Sequence, residues 1–150
     1  MIPKFRAWHK TNKEMMCVDV VSIAGHCIHL TGNFLDDEGD TWCSDSQISF
    51  DEIELMQWSG LIDAENKEVY TGDIIEYSSL AASFISPETP NIVIRQEVKF
   101  EEGIFGTTFG NLPHIEPLRN SFKYNSSEIK VIGNIYENPE LLNKEVINEL

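Results

Sequence analysis

The sequence predicts a mainly β fold: a small barrel with a β-hairpin region before it and a short C-terminal helix after it. Three features predict this. Short runs of β-branched and aromatic residues recur between clusters of turn residues. The block Leu55–Tyr77, LMQWSGLIDAENKEVYTGDIIEY, spells strand, polar turn, Gly-Asp turn and strand. The run Ile92–Phe100 alternates apolar and polar residues, the pattern of a half-buried antiparallel strand.

The elements follow in order. Phe5–Trp8 is a short aromatic strand, His9–Lys13 is a polar loop, and Met15–Ile23 is a β-branched run, which together suggest a hairpin. Gly25-His26 turns the chain into a strand at Cys27–Leu30, which Thr31-Gly32 ends. Asn33–Asp40 is expected to be an acidic loop. Asp45–Leu55 fits neither the helical nor the strand period, and a short helical turn there is compatible with Ile48, Phe50, Ile53, Leu55 and Met56.

Within the central block, Leu55–Ser59 is expected as a strand and Asp63–Lys67 as a polar turn. Glu68–Tyr70 leads to Thr71-Gly72-Asp73, and Ile74–Tyr77 is a strong short strand. Gly72 stands where a tight turn needs positive φ. This succession is the opening pattern of many small SH3-like barrels, so the barrel is expected to be of that kind.

Ser78–Asn91 is rich in Ser, Ala and Pro and is expected to be a loop. In the next strand Ile92, Ile94, Val98 and Phe100 would share one face, and Arg95, Glu97 and Lys99 the other. Glu101–Gly103 turns the chain and Ile104–Phe109 returns it, which makes the clearest hairpin in the sequence. Gly110–Ser127 is polar and expected to be irregular. Ile129–Tyr136 is the last strand, interrupted at Gly133-Asn134. Asn138-Pro139 suits a helix start, and Leu141, Leu142, Val146 and Leu150 would give the tail one apolar stripe. The expected divisions are a hairpin region over 1–50, an SH3-like barrel over 51–140 and a helical tail over 141–150.

Composition bounds the function. A chain of 150 residues with 41% apolar residues is long enough for one well-cored domain. Its 25 acidic and 11 basic residues give a formal net charge of −14, which disfavours contact with a phosphate backbone. Cys17, Cys27 and Cys43 are an odd number without tight pairing, which suits free thiols in a reducing compartment. The start MIPKFRAWHK lacks the apolar core of a signal peptide. No run approaches the about 20 apolar residues of a membrane span. Asn125-Ser126-Ser127 matches a glycosylation acceptor by chance.

No catalytic constellation assembles from the residues. Cys27 and His29 would face the same way on a strand, with Cys17 across from them, but the paired spacing of a zinc site is absent. Asp36-Asp37-Glu38-Gly39-Asp40 fails the EF-hand pattern, because Phe34 falls at its first position. Ser59 lies in Trp58-Ser59-Gly60 without the leading glycine of a nucleophile elbow. Cys43 could meet His26, His29 or His114 only through the fold. Gly103, Gly106 and Gly110 match neither a phosphate loop nor a dinucleotide fingerprint. Trp8, Trp42, Trp58, Tyr70, Tyr77 and Tyr136 could stack on bases or peptides, although only Lys4 and Arg6 supply nearby positive charge; core packing is the simpler role. No cofactor and no metal are therefore expected.

Three separated segments carry a family resemblance. They are Lys4-Phe5-Arg6-Ala7-Trp8, the block Leu55–Tyr77, and Val131–Leu142, VIGNIYENPELL. Together and in this order they resemble the YopX-like family of small bacteriophage and prophage proteins. The resemblance implies a β-rich fold with an SH3-like barrel, self-association, and a place in the cytoplasm of a bacterial host. It implies no activity and carries over no catalytic or binding residue. The matching positions have structural roles to fill: Gly60, Gly72 and Gly133 in turns; Phe5, Trp8, Trp58 and Tyr136 in packing; Asp63 and Asp73 in turn hydrogen bonds; Pro139 at a helix start; Asn134 belongs to the motif where the last strand is interrupted.

The expected function is a non-enzymatic accessory protein that acts through protein–protein contacts as a homo-oligomer, with a host or phage protein as a further partner. The alternatives are an acidic mimic of DNA, a direct nucleic-acid binder, and an enzyme of unassigned type. One structural expectation joins two motifs: Ile132–Tyr136 pairs with a strand of the Leu55–Tyr77 block and closes the barrel.

Overall fold

In a computed structural model, the described residues are 2–35, 41–79, 92–108, 115–125, 128–143 and 146–147. The chain divides into two units, Met1–Trp58 and Ser59–Leu150. It is mainly β, with one α-helix among the described residues.

The first unit contains β1 (Phe5–His9), β2 (Glu14–Val18), β3 (Val20–Ser22), β4 (Cys27–Leu35), β5 (Thr41–Ser49) and the start of β6 (Ile53–Ile62). β1 is central in its sheet. It pairs antiparallel with β2 from Phe5↔Val18 to His9↔Glu14, and with β6 from Phe5↔Gln57 to His9↔Ile53. Ala7, Ile28 and Ile53 form the buried centre, and Met16, Val18, Val21, Ile48 and Phe50 pack around it.

The structure alters two sequence expectations here and resolves a third that the sequence leaves open. The run Met15–Ile23 is two strands, broken at Asp19, whose N–H donates to the His29 carbonyl at 3.3 Å. The strand from Cys27 does not stop at Thr31-Gly32 but continues to Leu35. Its partner β5 stays in register from Cys27↔Ser49 to Leu35↔Thr41, and that continuous ladder overrides the weak strand propensity of Gly32. Asn33–Leu35 is thus strand, while Asp36–Asp40 lies outside the described residues. The ambiguous stretch resolves into β5, a 3-10 turn at Phe50–Glu52 and β6; the Ser49 hydroxyl caps the turn by accepting the Asp51 N–H at 3.3 Å.

The second unit contains the end of β6, then β7 (Glu68–Tyr70), β8 (Asp73–Ser79), β9 (Ile92–Glu97), β10 (Lys99–Glu101), β11 (Ile104–Thr108), β12 (Ile115–Pro117), α1 (Leu118–Asn125), β13 (Lys130–Asn134) and β14 (Val146–Ile147). One sheet has the order β13-β8-β9-β14 and another β10-β11-β12. Val69, Ile75, Val98, Leu118, Phe122, Ile129 and Val131 are its buried core. The expected link between the last motif and the central block is present as an antiparallel ladder of β13 with β8, from Lys130↔Glu76 to Asn134↔Asp73, bulged between Val131 and Gly133.

Three further differences fall in this unit. Ile92–Phe100 is two strands, because Val98 leaves the ladder to bond the turn before β8. Its N–H donates to the Asp73 carbonyl at 2.8 Å and its carbonyl accepts the Gly72 N–H at 2.7 Å. Val98 is buried as expected, but Phe100 is 50% exposed. Gln96 is buried on the core side instead, where it accepts from the Tyr77 hydroxyl at 3.1 Å and donates to the Thr108 carbonyl at 3.0 Å. The stretch expected to be irregular over Gly110–Ser127 contains β12 and α1, whose Leu118 and Phe122 lie one turn apart and are both buried. Where the helical tail is expected, the described residues form a 3-10 turn, Pro139–Asn143, and β14, which pairs Val146 with Val93 and Ile147 with Ile92; residues 144–145 and 148–150 lie outside the described residues.

Candidate functional site

The motif residues of the second unit converge on a hydrogen-bonded clasp. Asp63 is the centre of it. Its Oδ1 accepts the Glu65 and Lys67 N–H groups at 2.8 Å each, and its Oδ2 accepts the Val131 N–H at 2.9 Å. Backbone bonds run alongside: Asp63 N–H to the Lys67 carbonyl at 2.8 Å, and Ala64 N–H to the Ile129 carbonyl at 2.9 Å. Lys67 Nζ reaches the Val131 carbonyl at 3.5 Å, and Lys130 pairs with Glu65 at 2.7 Å. Burial works to raise the Asp63 pKa, but the N–H groups of Val131, Lys67 and Glu65, helped by the Lys67 charge, outweigh it and hold the carboxyl below its usual range.

A second set of bonds stands around Gly72-Asp73. Gly72 has φ +81°, as its tight turn requires. The Asp73 carboxylate accepts the Tyr70 N–H at 2.8 Å, and the Gly72 carbonyl accepts the Ile135 N–H at 2.9 Å. This turn therefore bonds both Val98 and the segment after β13. Asn134 closes that segment: its Oδ1 accepts the Tyr136 N–H at 3.0 Å and the Glu137 N–H at 2.9 Å. Gly133 is fixed by close approach, since a Cβ there would lie 2.5 Å from Asn138 Oδ1. The Asn138 carbonyl accepts the Leu141 N–H at 3.1 Å at the start of the 3-10 turn that Pro139 opens.

A model of the YopX protein family matches residues 4–143, a span that holds all three motif segments. The chain belongs to the YopX family. It is also similar to a crystal structure, that of protein EF1440 from Enterococcus faecalis, with 26% identity and a TM-score of 0.61 over 95% of this chain and 99% of that one. No curated protein matches it.

The other candidate residues of this YopX chain divide between the two units. In the first, Trp8 is 7% exposed and sits in the packed sheet, Phe5 is half-buried, and Lys4 Nζ lies 4.7 Å from the Trp58 ring centroid. Cys17 is exposed and Cys27 buried. Cys27 Sγ accepts from Gln47 Nε2 at 3.0 Å and stands 3.9 Å from His29 Nε2. Among the described residues, no group of three or more His, Cys, Asp or Glu is placed to hold a metal ion. The Trp42 and Cys43 side chains, Gly110 and His114 lie outside the described set.

In the second unit the Ser59 hydroxyl donates to the Val69 carbonyl at 2.8 Å and accepts the Leu61 N–H at 3.3 Å, next to Gly60 with φ +85°. Both of its hydrogen-bonding roles go to backbone. The Tyr70 hydroxyl donates to Glu68 at 2.8 Å. Burial pushes the Tyr77 hydroxyl pKa up, against a bond to Ser121 that lowers it. Gln96 and Gly106 are the residues that sequence reasoning missed. Gln96 occupies an apolar-face position by the alternation of its own strand, which was the available signal. Gly106 is packed against the Glu116 carbonyl of the adjacent strand, which no local pattern reveals.

Proposed function

We propose that this YopX-family chain is a non-enzymatic phage or prophage accessory protein that acts through protein–protein contacts as a homo-oligomer in the cytoplasm of its bacterial host. One observation supports this most: three polar side chains of the family motifs, Asp63, Asp73 and Asn134, are engaged in holding the backbone. Asp63, Asp73 and Asn134 all accept backbone N–H groups, so none is held in reserve for substrate. Large apolar side chains lie exposed outside these bonds, among them Ile23 at 80%, Ile62 at 53% and Phe100 at 50%. The proposed architecture is an SH3-like barrel with β1 and β2 as an N-terminal hairpin extension, supported by the β1–β2 pairing and the β8–β13 ladder.

Light scattering on the purified chain, paired with affinity capture from phage-infected cells, tests the reading. A defined oligomer that captures a specific protein is expected. A monomer that captures nothing contradicts it. The net charge of −14 favours one second reading, an acidic mimic of DNA that blocks a DNA-binding protein. A captured DNA-binding protein that duplex DNA displaces would select that version.

A further inference from the structure

We draw no further inference here: the strongest candidate, the Cys27 thiol of the first unit with Gln47 Nε2 at 3.0 Å and His29 Nε2 at 3.9 Å, is a lone buried cysteine, and nothing among the described residues shows a ligand.

Discussion

The Asp63 carboxylate accepts the Val131 N–H at 2.9 Å across a separation of 68 residues. The bond joins the polar turn of the central motif to the strand of the C-terminal motif. Two segments that resemble a family signature in sequence are thus two halves of one clasp. β13 is an edge strand of its sheet, and an open edge invites unwanted pairing. Here the 63–67 turn takes the Val131 N–H and the Ile129 carbonyl.

Asp63→Ala should therefore be strongly destabilising. It leaves three backbone donors without their carboxylate acceptor. Each charge-assisted bond contributes about 1.5–3 kcal/mol, and the losses overlap, so a total of about 3–5 kcal/mol is expected. Urea denaturation at pH 7 measures it. Asp63→Asn, which keeps one acceptor oxygen but turns an NH2 toward a donor, should lose an intermediate amount. A loss under about 1 kcal/mol for Asp63→Ala would show that the clasp is incidental.

Two carboxylates should give opposite pH dependences. The folded-state pKa of Asp63 is depressed from 3.8, so its stabilisation is present above that value and disappears as pH falls through the folded value. Glu97 is raised from 4.5, first by burial and then by Glu101, against the opposing Lys99 charge. Its ionised form is disfavoured in the folded state, so stability should rise as pH falls through the raised value toward 4.5. Glu97→Gln should raise the melting temperature slightly at pH 7 and flatten the curve in that window. Thermal melts from pH 3 to 8 read both effects. An unchanged profile in Glu97→Gln would remove Glu97 from the account.

Glycine substitutions separate backbone strain from crowding. Gly103 and Glu102 both have positive φ, +81° and +53°, in the turn between the paired residues Glu101 and Ile104, the signature of a type I′ hairpin. A Cβ on Gly103 meets nothing within 4 Å, so Gly103→Ala should cost only the left-handed backbone penalty, about 1–2 kcal/mol. Gly106 has its neighbour's backbone in the way, so Gly106→Ala should cost more, about 2–4 kcal/mol. Equal losses in denaturant melts would contradict the packing assigned to Gly106.

Gly133→Ala should clash with the Asn138 side chain and cost about 1–3 kcal/mol. Asn138→Ala removes that obstacle. The double variant should then be less destabilised than the sum of the two singles, by about 1 kcal/mol. Strict additivity would argue that Gly133 matters for another reason.

What the sequence reveals follows from how local each cause is. Gly72, Asp73 and the Glu102-Gly103 turn are legible because turn chemistry is encoded within a few residues. The break at Val98 is not, since it comes from hydrogen bonds to Gly72 and Asp73, which are far away in sequence. α1 hides because its stretch is mostly polar in sequence, and the buried apolar residues Leu118 and Phe122 are spaced too sparsely to mark a helical period. β4 runs past Thr31-Gly32 because its partner strand supplies the missing propensity. The turn role of Asp63 was readable from Asp63–Lys67 alone. Its second role, at Val131, depends on the tertiary fold.

The most direct test of the clasp is amide hydrogen exchange at Val131 in the native protein and in Asp63→Asn. If Asp63 holds β13 in place, Val131 in the native chain exchanges only on opening of the second unit. In the variant it should exchange at least tenfold faster, while the β8–β9 amides from Ile74 to Tyr77 keep their relative protection. Equal protection of Val131 in both proteins would contradict the claim that the two motifs are joined through Asp63.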